Sequence, residues 1–104
     1  MWFYDPARAT LTLTLLFGAV DDDPFDGPDN IRVSPHGGVI VAEDGQGAQY
    51  LLGATADGVT FPVARNDEGA EFTGPVYSAD GAVLFADIQQ PGVTFAIAGP
   101  WRRA

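Results

Sequence analysis

The residues best equipped for chemistry in this chain are acids set at the ends of apolar runs. Asp29-Asn30 precedes IRVS, Glu43-Asp44 follows VIVA, Glu71 precedes FTGPVY and Asp87 follows VLFA. Carboxylate and amide oxygens suit hard divalent cations, calcium above all, which gather about six to eight oxygen ligands. Asp29-Asn30 lies in a Gly-Pro loop and reads first as a turn whose side chains cap backbone amides, with cation binding as the competing role. Glu43-Asp44 closes a strand and reads first as a solvated hairpin end. Adjacent strand residues face opposite sides, so at most one of the two points to a shared site, and Glu43 is the candidate. Asp87 is a second-tier candidate. Asp21-Asp22-Asp23 lacks the alternate-residue spacing of a calcium loop and reads as a solvated acidic loop. His36, the single histidine, sits in a hairpin turn, and Ser34 and Ser78 begin matching turns. No nucleophile–base pair can be argued around them, and no G-x-S-x-G elbow exists. Arg32 could grip phosphate oxygens in bidentate fashion, although it alternates with Ile31 and Val33 and fits a solvent face as well.

The elements that must position these acids are short strands. Gly and Pro punctuate the chain every few residues, and no helical periodicity is sustained. Residues 2–4 and 10–17 predict an outer hairpin, with TLTLTLLF as a half-buried alternating strand. Four strands follow at 30–34, 39–43, 50–55 and 59–65, then three near 73–78, 83–87 and 94–98, with glycine in most of the turns between them. The segment 34–43 (SPHGGVIVAE) also lies over 78–87 (SADGAVLFAD) at an offset of 44 residues. A period of that length, built from strands and Gly turns, marks a β-propeller blade. The expected fold is all-β with antiparallel strands, about two blades of a propeller. It comprises an outer hairpin (1–18), a four-stranded blade (28–66) and a partial blade (71–101). Two blades leave edges and apolar faces uncovered, so the propeller is incomplete or completed by oligomerisation, and self-association is expected. In a propeller the entrance of each innermost strand points to the central axis. Asp29 and Asn30 hold that place in the first blade, and Glu71 nearly so in the second.

At GPDNIRVSPHGGVIVAEDG (27–45), EFTGPVYSADGAVLFADIQQPG (71–92) and FAIAGPW (95–101) the sequence resembles the PhoX-type alkaline phosphatases, a bacterial family of exported, calcium-dependent β-propeller phosphomonoesterases. The order of these pieces is similar to the C-terminal end of that family. The resemblance implies a metal-dependent parent enzyme acting on phosphate esters, with iron and calcium in its central channel. It also favours Asn30 and Glu71 as calcium ligands over turn residues. The cysteine ligand it implies would come from earlier blades, since this chain has no cysteine. Turnover by this chain alone is therefore not expected.

Composition narrows the classes further. Formal net charge is −9 with no lysine, which removes the clustered cations that nucleic-acid affinity depends on. No secretory leader pattern is present, and the most apolar run is too short to insert into a membrane. Two other readings stay open: a non-catalytic propeller module for binding or assembly, and a fragment of a gluconolactonase-like propeller lactonase that also holds one divalent ion.

Overall fold

The computed structural model describes residues 1–17, 25, 27–45 and 47–101. Asp21, Asp22, Asp23 and the tail arginines Arg102 and Arg103 lie outside the described residues. Among the described residues nine strands run in chain order: β1 (Trp2–Asp5), β2 (Thr10–Leu13), β3 (Pro28–Val33), β4 (Val39–Glu43), β5 (Gln49–Ala54), β6 (Thr60–Asn66), β7 (Phe72–Tyr77), β8 (Val83–Ile88) and β9 (Val93–Ala98). They form three antiparallel meanders, β1-β2, β3-β4-β5-β6 and β7-β8-β9, none closed into a barrel. No helix occurs among the described residues, so none there is long and apolar enough to cross a membrane. This is a partial, propeller-like all-β fold.

Glycine chemistry sets the hairpins. Gly38 adopts φ +73°, and a Cβ there would stand 2.0 Å from the Ala54 carbonyl oxygen, so only glycine lets the β3–β4 turn pass the end of β5. The expected long strand at 10–17 is shorter than its alternation implies. β2 stops at Leu13, where the chain folds back so that the Thr14 and Leu15 N–H groups both donate to the Met1 carbonyl. Leu11 and Leu13 remain exposed because a two-stranded hairpin has no second layer to cover its faces.

The core lies between the second and third sheets. Ile40, Ala42 and Leu51 from one side meet Phe72, Leu84, Ala86 and Ile88 from the other. Leu51 and Leu84 are fully buried, each stabilising the fold by about 1.5–3 kcal/mol. Inside this core edge, β3 and β7 belong to different sheets and face one another through alternate side chains. The Asn30 Oδ1 accepts from the Gly74 N–H at 3.2 Å and the Thr73 hydroxyl at 3.4 Å. Arg32 Nε donates to the Pro75 carbonyl at 3.2 Å, and the Ser34 hydroxyl reaches the Tyr77 hydroxyl at 3.4 Å. His36 Nε2 lies 2.7 Å from the Gly81 carbonyl oxygen. A carbonyl only accepts, so this imidazole nitrogen carries the proton. The same ring stacks on Trp101 at 5.7 Å, and Trp101 Nε1 donates to the Ala82 carbonyl at 2.8 Å. His36 is thus a turn residue that also fastens one sheet to the next.

The repeat matches where each turn starts and slips by one residue within the turn. The Gly37 N–H donates to the Ser34 carbonyl, and the Gly81 N–H to the Ser78 carbonyl, 44 residues on. Yet Val33 pairs with Val39, whereas Tyr77, 44 positions after Val33, pairs with Leu84, 45 positions after Val39. The second turn holds one residue more, with Asp80 capping it: Asp80 Oδ1 accepts from the Ser78 hydroxyl and the Ala82 N–H, which hold its carboxyl below the usual range.

Leu51→Ala should cost about 2–5 kcal/mol of stability, the range for a buried leucine. Leu11→Ala, at 62% exposure, should change the urea midpoint little. Equal losses for the two variants would place the core elsewhere.

Candidate metal centre

Three chain segments bring carboxylates to one end of the β3–β7 seam. Asp29 sits at the irregularity between Pro28 and Asn30 where β3 joins β4, a bulge of the kind that re-aims a side chain. Glu71 directly precedes β7, its carbonyl accepting from the Gln89 N–H at 3.4 Å. Asp44 follows the end of β4, its N–H donating to the Gly27 carbonyl at 2.7 Å. Gly27 adopts φ +56°, and a Cβ on it would meet the Asp44 carbonyl oxygen at 2.4 Å, so the loop depends on the bare glycine. Gln49, buried at the start of β5, braces the other side. Its Oε1 accepts from the Gly45 N–H at 2.9 Å, and its Nε2 donates to the carbonyls of Gly45 at 2.8 Å and Gly47 at 3.1 Å.

The result is a ligand-like cluster: one carboxylate oxygen from each of Asp29, Asp44 and Glu71 lies within 4.8 Å of the others. Such crowding has an electrostatic consequence. The Glu71 carboxyl is raised above its ordinary value, first by partial desolvation, then by the negative charges of Asp44 and Asp29 and a hydrogen bond with Asp44. Like charges this close favour either a shared proton or a bound cation. Three hard oxygens with no thiolate fit calcium or a similar ion, and do not provide the cysteine ligand associated with iron.

The residues named from sequence fall in different places. Asp29 and Glu71 join the cluster. Asn30 lies beside it with its amide oxygen engaged by Thr73 and Gly74. Glu43 is buried at 1% exposure, on the strand face opposite Ala42. Asp87 pairs across the sheet with Thr73 and Thr94 and accepts from the Thr94 hydroxyl at 2.5 Å. It does not occupy the place of Glu43: in sheet register the counterpart of Glu43 is Ile88, because the second turn is one residue longer. Arg32 is exposed and tied to Pro75 through Nε. Sequence reasoning passed over Asp44 and Gln49. For Asp44 a signal existed, since Gly45 ends the strand and the alternation rule stops applying there. Gln49 gave none, because its role depends on a loop conformation.

A family model described as Alkaline phosphatase PhoX matches residues 1–92. The chain belongs to that family. No curated protein and no solved structure matches it. For a PhoX family member, the convergence of acids at the entrances of β3 and β7 is the feature to set beside metal-dependent chemistry.

Two glycine replacements separate strain from crowding. Gly47→Ala meets nothing within 4 Å and carries only the penalty of φ +77°, about 1 kcal/mol. Gly27→Ala adds the 2.4 Å approach to Asp44 and should cost about 2–3 kcal/mol in chemical denaturation. Similar losses would mean that the loop relaxes without effort.

Proposed function

We propose that this chain is the C-terminal propeller section of a PhoX-like phosphomonoesterase and that Asp29, Asp44 and Glu71 hold calcium for it. The convergence of three carboxylates from three separate segments carries the reading. The family match favours a phosphatase parent over the lactonase and the non-catalytic module. In this proposal Asn30 positions the site by tying the start of β3 to β7, which keeps Asp29 and Glu71 together. Gly27 and Gln49 fix the Asp44 loop. Bound calcium would polarise a phosphoryl oxygen and offset charge that develops during hydrolysis. Arg32, held by Pro75, would offer its outer nitrogens to a phosphate oxygen. The substrate is a phosphate monoester, the parent protein is exported, and this chain supplies ligands without turnover of its own.

Proton and calcium compete for Glu71, and the sign follows from its raised pKa. A carboxyl that holds its proton more tightly when folded favours folding below its unfolded pKa. That contribution is lost as pH rises through the folded value. In EDTA, stability should therefore decline as pH climbs out of the ordinary carboxylate range. Calcium should reverse the decline, adding about 2.7 kcal/mol at a hundredfold excess over its Kd. The calcium-induced rise in Tm should be largest near neutral pH and vanish in acid.

Glu71→Gln keeps the shape and removes one charge. It should raise the Tm in EDTA at neutral pH and weaken calcium binding by tenfold or more, about 1.4 kcal/mol, by calorimetric titration. Glu43→Gln and Asp87→Asn should leave calcium affinity unchanged. Unaltered affinity in Glu71→Gln would remove that residue from the site. Phosphomonoester hydrolysis by the purified chain, lost in Glu71→Gln, would overturn the view that it works only as a section.

A further inference from the structure

Among the described residues the second sheet has four strands and the third has three. β7, β8 and β9 repeat the places of β3, β4 and β5, so β6 is the strand without a counterpart, and β9 is left as an edge. Burial of the core face records the difference. On that face Leu84, Ala86 and Ile88 of β8 are 0%, 1% and 5% exposed. Their cross-strand partners on β9 are Ile97, Phe95 and Val93, of which Phe95 and Val93 are 46% and 40% exposed. The core therefore closes over β8 and stops short of β9. Two openings follow this line between the outer strands of the two sheets. One, of about 600 Å³, is lined by Phe61 and Val63 of β6 together with Ile97 and Trp101. The other, of about 250 Å³, is lined by Arg65 of β6 together with Val93 and Phe95. They are the two ends of one groove, and a fourth strand beside β9 would lie along it, opposite β6.

The path of the chain after β9 does not supply that strand. β5 returns as β6 through a tight turn, in which the Thr55 N–H donates to the Val59 carbonyl. After β9 the chain instead runs through Gly99-Pro100 towards the inner hairpins, where Trp101 stacks on His36 and donates to the Ala82 carbonyl. We propose that β9 receives an extended strand from a part of the parent protein upstream of this chain. That strand pairs with the free edge of β9 and lays alternate apolar side chains into the groove between β6 and β9. An edge strand offers a row of unpaired N–H and C=O groups to such a segment. Main-chain bonds then give affinity, and the alternate side chains give selectivity. The upstream source rests on the reading of this chain as a C-terminal section. The pairing itself rests on the β9 edge and the groove alone.

The pairing is tested on the dilute chain with a synthetic peptide of alternating valine and threonine, closed by a lysine at each end. Amide hydrogen exchange read by NMR should show residues 93–98 gaining protection as peptide is added, and the Tm should rise with it. Phe95→Glu and Val93→Glu change exposed positions, so the free variants should melt close to wild type. Each should bind the peptide at least about tenfold more weakly, because the strand would bury an unpaired carboxylate. Glu71→Gln should take the peptide as wild type does, so the result stands apart from the metal site. The source is tested in the parent by a photoreactive benzoylphenylalanine in place of Phe95. Irradiation should cross-link it to a segment that precedes residue 1. Unprotected β9 amides, protection confined to β3 or β6, or a glutamate variant that binds like wild type overturns the pairing. Capture of a segment beyond residue 104, of a second molecule, of β6 alone or of nothing overturns the upstream strand.

Discussion

Between β3 and β7 there is no backbone ladder. The two strands belong to separate sheets, and what joins them is a row of side chains at alternate positions of β3 and of the turn that follows it, each bonded to a group 43–45 residues further on. Because strand side chains alternate between faces, a single strand can bond to its neighbour with every second residue and leave the others for another partner. The apolar core behind this row supplies most of the free energy of burial. The row itself fixes the relative height of the sheets, since a slip by one residue would exchange every polar contact for an apolar one. The acid cluster at one end of the seam and the imidazole–indole stack at the other both inherit their geometry from that alignment.

The two ends solve opposite problems. At the turn end, His36, Tyr77 and Trp101 satisfy their polar atoms on backbone carbonyls and hydroxyl groups and fill space with rings. At the entrance end, carboxylates are held together although they repel. The structure holds them with devices that do not depend on the acids: a bare glycine under Asp44, an amide that brackets the loop, and Asn30 across the seam. These supports act on the loop and on the strand entrance, not on the carboxylate oxygens themselves.

Much of this was legible in the residues. All nine strands follow from alternation and from glycine turns, and the repeat located the two sheets. The entrance acids Asp29 and Glu71 were legible because an innermost strand has a defined beginning. Asp44 was not, because the alternation argument was carried one residue past the strand that justified it. Glu43 looked equivalent to Asp87 because both follow an apolar run, but strand pairing is set by turn length, which a single residue changes. Exposure of β2 was unreadable for another reason: TLTL has the pattern of a covered strand, and only the presence of a second layer decides whether it is one.

That one-residue difference in turn length has a practical consequence for anyone who would idealise this repeat. Counterparts lie 44 positions apart between β3 and β7 and 45 apart between β4 and β8. They lie 43 apart between β5 and β9, where Ala54 and Ile97 each pair with matched residues. A consensus sequence averaged at a uniform spacing would blend inward-facing with outward-facing positions, placing valine where a lysine belongs and the reverse. Idealised blades drawn from this chain need a separate offset for each strand, and a naive average would yield a soluble-looking sequence with no core to fold around.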